Sequence, residues 1–151
     1  MHERDKIRAL VMASPEMNDV EKFYLELDDF INRNKFFAEV GWYKSRKVEL
    51  VTCGSPNIDR LVAEYANSRG YKLTTIKADF IKDKSNAINI RNAKASNLAN
   101  CFIAFWNAES LGIKNMIDKH MTNDIYQLYI YVKDGKIKDN GKPPININKV
   151  R

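Results

Sequence analysis

Short, almost unbroken apolar runs alternate with segments whose apolar residues return every three or four positions, and this alternation constrains the fold more than anything else in the chain. Ile7 to Ala13 (IRALVMA) reads as a strand buried on both faces, and Lys47 to Cys53 (KVELVTC), Cys101 to Trp106 (CFIAFW, the most apolar) and Leu128 to Val132 (LYIYV) as further strands. Tyr71 to Ile76 is a further, more polar strand. Between them, Val20 to Asn34 places Val20, Phe23, Tyr24, Leu27, Phe30 and Ile31 on one helical face. Asp59 to Ser68 does the same with Leu61, Val62, Tyr65 and Ala66, and Gly70 is its stop signal. Ile90 to Leu98 and Ile113 to His120 complete the helices, with Ala78 to Asn89 polar and irregular. Strands that alternate with helices predict an α/β protein: a Rossmann-like three-layer sandwich with a mainly parallel sheet of about five strands flanked by helices.

The length of 151 residues suits one domain with a sizeable core, and neither the 44% apolar nor the 29% charged content departs from ordinary globular proteins. The domain is expected over residues 1–132, with 133–151 (KDGKIKDNGKPPININKVR) a polar tail or hairpin packed on or beside it. No apolar run approaches the ~20 residues that span a bilayer, and the opening MHERDKIRALVMAS has the wrong charges for a secretory leader, so a cytoplasmic protein with no membrane partner is expected. Cys53 and Cys101 lack CxxC spacing, and His2 and His120 lie far from Cys53; the reading is two buried thiols, with no metal and no cofactor. The net charge of +6 and pI near 9.3 suit a polyanionic partner, although the excess is spread thinly and part of it lies in the tail.

Ligands of open parallel sheets bind beyond the carboxyl ends of the strands, where helices present free N–H groups. Three turns have the composition for this. Ser14 to Asp19, with Asn18, offers hydroxyl, amide and carboxylate groups; Gly54-Ser55-Pro56-Asn57 precedes a helix; Asn107 to Gly112, with Ser110, follows the most buried strand. Glycine allows close approach to the backbone and tolerates positive φ. The competing reading is that every α/β protein needs such turns, for which Gly, Ser and Asn are the default residues. Arg91 is placed to hold a phosphate bidentately and Asn92 to read a ribose or base edge, against the alternative of a surface arginine paired with a carboxylate. Trp106 either stacks on a base or, more commonly for such a residue, packs a helix onto the sheet.

These segments together resemble a known family. ALVMASPEMNDVEKF is similar to the first strand and turn of the YspA/YpsA-related SLOG family, which reads hydrophobic-GSR-x-F-x-D. VTCGSPNIDRLVAEYANSRGYKLTTIKADF resembles the second motif, hydrophobic-x-GGA-x-G-x-D, and NIRNAKASNLANCFIAFWNAESLGIKNMI the RN-x-x-M helix and the FWDG-x-S-x-GT turn. The matches keep the family's order and span about Ile7 to Val132. The resemblance implies a Rossmann-like domain that binds a nucleotide or nucleotide-derived ligand, with Ser14, Gly54, Asp59, Arg91, Asn92, Asn107, Ser110 and Gly112 in binding roles.

The departures are equally informative. Ala13 and Pro15 flank Ser14 where the family has Gly and Arg; Cys53 replaces the first Gly of the second motif, and Asn57 its third. Ala108 replaces the Gly of the DG pair, and Ile113 the Thr after Gly112. The family's phosphoribohydrolases carry a glutamate shortly after that Gly-Thr, whereas here the stretch is Ile113-Lys114-Asn115-Met116. The leading expectation is therefore a domain that binds a signalling nucleotide or ADP-ribose derivative without catalysis, in keeping with a phage or mobile-element accessory protein and open to homo-oligomer formation. Two alternatives stay open. One is a phosphoribohydrolase-like, nucleotide-processing hydrolase, with Asp59, Glu64 and above all Glu109 as acid/base candidates. The other is a single-stranded nucleic-acid binder, resting on the net charge and on Trp42-Tyr43-Lys44-Ser45-Arg46-Lys47 with Trp106.

Overall fold

A computed structural model describes residues 6–37, 47–121 and 125–138. The strands are β1 (Lys6–Ala13), β2 (Lys47–Thr52), β3 (Lys72–Thr75), β4 (Cys101–Trp106), β5 (Tyr126–Lys133) and β6 (Lys136–Ile137). The helices are α1 (Val20–Phe37), α2 (Pro56–Arg69), α3 (Phe80–Asp83), α4 (Ala87–Leu98) and α5 (Leu111–His120). They form the expected sandwich. The sheet order is β3-β2-β1-β4-β5-β6, with the first five strands parallel and β6 antiparallel to β5.

The two sheet faces are chemically distinct because alternate residues of each strand point to opposite sides. Ile7, Ala9 and Val11 of β1, with Leu50, Ile103 and Phe105, meet Phe23, Leu27, Phe30 and Ile31 of α1 and Ile58, Val62 and Tyr65 of α2. Leu10, Met12, Val51, Phe102, Ala104 and Trp106 on the other side meet Ala95 of α4 and Ile113, Met116 and Ile117 of α5. The centre of the first layer is the Phe23–Phe105 ring pair, 4.7 Å between centroids. Gln127 is fully buried and paired inside the core, donating to the Met121 carbonyl (2.7 Å) and accepting from the Tyr129 hydroxyl (2.6 Å).

Local chemistry explains where the elements begin and end. Ser55 stands at the N-cap of α2 with Pro56 in the first turn, so the helix starts three residues before the expected Asp59. Gly70 closes it at φ 73°, its N–H directed to the carbonyls of Ala66 and Asn67. The irregular stretch after β3 contains the four-residue α3, where the Asp79 carboxylate accepts from the Lys82 N–H, and a 3-10 turn at Lys84–Asn86 that leads into α4. At the other end of the sheet, the Asn100 side chain accepts from the Arg8 N–H (2.9 Å) and donates to the Lys6 carbonyl (2.7 Å), fixing β4 beside β1. α1 and α2 are tied by Asp28, which takes the Tyr65 hydroxyl (2.7 Å) and two nitrogens of Arg69 (2.9 and 2.8 Å). The Arg69 guanidinium holds that carboxyl below its ordinary range.

The chain crosses between faces once. α1 and α2 connect β1, β2 and β3 on one side, whereas α4 carries the chain from the outermost β3 to β4, on the far side of β1, and α5 follows on the same side as α4. The carboxyl ends of β1 and β4 thus form the point where the winding reverses. Beyond Val132, a hairpin through Asp134 and Gly135 adds β6; residues 139–151 of the expected tail lie outside the described residues. Among the described residues no helix is long and apolar enough to cross a membrane.

Candidate functional site

The topology brings all three candidate turns to the carboxyl edge of the sheet, where they play different parts. At the winding reversal the turns bond chiefly to one another. The Ser14 N–H donates to the Phe105 carbonyl (2.7 Å), and the fully buried Ser14 hydroxyl accepts from the Asn107 N–H (2.9 Å). The Asn107 side chain donates to Glu16 (2.7 Å) and accepts from the N–H groups of Glu109 and Ser110 (2.8 Å each). The Asn18 N–H donates to the Gly135 carbonyl (2.8 Å), and Asp19 accepts from the Ile137 N–H (3.1 Å), so the β5–β6 hairpin is bound against the first turn. Gly135 has φ 81° and lies so close that a Cβ there would be 2.8 Å from the Glu16 carbonyl oxygen. These contacts make Ser14 and Asn107 struts of the edge.

Three other expectations change with the geometry. Trp106 is 3% exposed, its ring edge-on to Tyr129 and its indole N–H donating to the Ser110 carbonyl (3.2 Å), so the helix-packing role applies and no face is open to a base. Asn92 is 2% exposed and its amide oxygen accepts from Nε and Nη2 of Arg91 (3.2 and 3.0 Å), which turns it from a ligand reader into the group that orients Arg91. Gly112 does not sit in the turn: α5 begins at Leu111, with Ser110 at its N-cap position, and Gly112 lies in its exposed first turn with open space where a Cβ would be.

Neither Gly54 nor Gly112 has the positive φ for which glycine is valued; in the crevice turns that conformation falls to Ala108, at φ 67°. An L-residue there is strained by about 1–2 kcal/mol, partly offset because glycine loses more chain entropy. Ala108→Gly is expected to raise stability by about 0.5–1 kcal/mol, a rise of roughly 1–4 °C in melting temperature by calorimetry.

The open chemistry lies beside β2. The Asp59 carboxylate accepts from the Gly54 N–H (3.1 Å), and burial raises its pKa, opposed by bonds from Gly54 and Thr52 and by the charges of Arg91 and Lys77. The Thr52 and Thr75 hydroxyls are 3.1 Å apart. The Ser55 hydroxyl is buried without a hydrogen-bond partner at the mouth of α2. Next to this group, a groove of about 390 Å³ runs between the first turns of α2 and the end of β3, lined by Pro56, Asp59, Arg60, Ala63, Thr75 and Lys77. Asn57 is exposed there and accepts from Arg60 (3.3 Å). Burial pushes the nearby Cys53 thiol up to about 11, so it is protonated at neutral pH.

Thr52, Thr75 and Lys77 were not among the expected site residues. Thr52 is the last residue of β2, and the signal for Thr75 and Lys77 was the polar Thr-Thr-Ile-Lys stretch at and just beyond the end of β3, a third parallel strand whose carboxyl end must reach the same edge. Glu64 is exposed and 3.6 Å from Arg60, and Glu109 is exposed in its turn. Among the described residues no group of three or more His, Cys, Asp or Glu side chains is placed to hold a metal ion. Trp42 to Arg46 lie outside the described residues. No family model, curated protein or solved structure matches the chain.

Proposed function

We propose that this protein is a divergent SLOG-type domain that binds a nucleotide-derived ligand at the carboxyl edge of its sheet and does not turn it over. The observation that carries this reading is the group formed by Asp59, the Gly54 N–H, the unpartnered Ser55 hydroxyl, Arg91 and Lys77 beside an open groove. A half-buried carboxylate is an acceptor for ribose hydroxyls, while Lys77, Arg91 and the start of α2 favour phosphate. A ligand with both features, such as a signalling nucleotide or ADP-ribose, fits the charge pattern better than a simple anion, which Asp59 would repel. The binding role then belongs to Gly54, Ser55, Asp59 and Arg91 of the expected residues, joined by Thr75 and Lys77. The absence of a glutamate in Ile113 to Met116 supports binding over hydrolysis.

A thermal-shift panel of AMP, ATP, NAD and ADP-ribose tests this. A ligand present at 100 times its Kd stabilises by about 2.7 kcal/mol, a rise of roughly 5–10 °C for a chain of this size. At least one of the four is expected to give such a rise, with no free base or phosphate released on incubation. No rise with any of them would overturn the reading.

A further inference from the structure

A nucleotide carries a base as well as a sugar and phosphates, and the described lining of the groove beside Asp59 contains no aromatic side chain. Trp106, at the same edge of the sheet, is buried with its ring edge-on to Tyr129. The chain from Lys77 to Arg91 leaves the groove and comes back to it. Lys77 lines the groove, α3 follows, and the 3-10 turn and first residues of α4 return the chain to Arg91. The charges of both Lys77 and Arg91 bear on the Asp59 carboxylate. Phe80, the first residue of α3, is three positions after Lys77, at most ~11 Å along the chain.

No residue of α3 is buried. Phe80 is 61% exposed and Ile81, beside it, 91%. Among the described residues no ring and no cation lies against the Phe80 ring. Adjacent large apolar side chains left in water, ringed by polar groups, mark a surface that something covers. The surrounding charge indicates what. Lys77, Lys82 and Lys84 outnumber Asp79 and Asp83, and the Asp79 carboxylate is turned onto the Lys82 N–H. A free aromatic ring among cations matches a base joined to phosphates. An apolar protein surface seated here would instead bury lysines that interfaces generally exclude.

We propose that the exposed ring of Phe80 is the platform on which the base of the nucleotide-derived ligand stacks, its sugar and phosphates lying in the groove between α2 and β3. This assignment rests on the nucleotide reading of that groove. The test is calorimetric titration with AMP, ATP, NAD and ADP-ribose, and with ribose 5-phosphate as the probe that has no base. Phe80→Ala is expected to weaken the tightest of the four nucleotides by about 5- to 150-fold, the range measured for one base stacked on one ring. Its affinity for ribose 5-phosphate should stay within about twofold of the wild type. Phe80→Tyr, which keeps the ring, should hold nucleotide affinity within about threefold. Ile81→Ala, the aliphatic neighbour, should change it by less than about twofold. Because both side chains are exposed, all three variants should melt like the wild type. Unchanged nucleotide affinity in Phe80→Ala, or an equal loss for ribose 5-phosphate, would overturn the platform and leave the groove a nucleotide site. No binding of any of the four nucleotides by the wild type would overturn both. A wild-type dimer that Phe80→Ala converts to monomer in sedimentation would assign the patch to a second copy of the chain and overturn the platform.

Discussion

Replacing Phe105 by Ala is expected to destabilise the protein by about 3–5 kcal/mol. Phe105 is fully buried in β4, the central strand that receives β1 on one side and β5 on the other. Its ring meets Phe23 of α1 at 4.7 Å, so truncation opens a cavity against a helix that its own Leu27 and Phe30 also anchor in the core, which limits collapse into it. Because domains of this kind are stable by only about 5–15 kcal/mol, much of the margin disappears. Urea denaturation at equilibrium reads the change directly. Leu111→Ala, at a side chain 70% exposed, is the matched control and should stay within about 0.5 kcal/mol. A Phe105→Ala loss below about 1.5 kcal/mol would mean that the α1 layer is not seated on β4 as described.

Asp59→Asn is expected to separate stability from binding. Burial raises the Asp59 carboxyl above its ordinary 3.8, so the unfolded chain gives up this proton more readily than the folded one. A carboxylate with a raised folded-state pKa lowers stability at neutral pH, and the penalty fades as pH falls through that folded value toward 4 and below. Asparagine keeps an acceptor for the Gly54 N–H without the buried charge. The variant should therefore melt at the same temperature as the wild type or higher at pH 7, with the difference shrinking in acid. Loss of a charged acceptor for ribose hydroxyls should weaken nucleotide binding by roughly 10- to 100-fold, or about 1.5–3 kcal/mol. Calorimetric titration and melting curves on the same preparation give both numbers. A large fall in melting temperature with unchanged affinity would make Asp59 a structural cap and nothing more.

The fold was legible because long-range packing agreed with local pattern. IRALVMA and CFIAFW are too apolar for any place but the middle of a covered sheet, and they became β1 and β4. The helix starts were less legible. Ser-Pro at 55–56 and Ser-Leu at 110–111 extend α2 and α5 toward their N-termini, which moved Gly112 out of its expected turn. β6 could not be read from Lys136–Ile137, because two residues carry no period; it exists because β5 offers an edge and Asp19 receives the Ile137 N–H. The site was legible by edge but not by residue. Composition marked Ser14, Asn92, Asn107 and Trp106 as polar or aromatic groups near strand ends, yet it could not show that each is satisfied within the protein. Conversely, Lys77 and Thr75 belong to the groove only because β3 lies beside β2, a fact of strand order.

Amide chemical-shift mapping with whichever nucleotide stabilises the protein tests the central claim most directly. Saturable shifts are expected at Gly54, Ser55, Asp59 and Thr75 to Lys77, with Lys6, Lys72 and the Asn107–Ser110 turn little changed. Saturable shifts confined to the amino edge, or spread over the surface without saturation, would contradict a nucleotide site between α2 and β3.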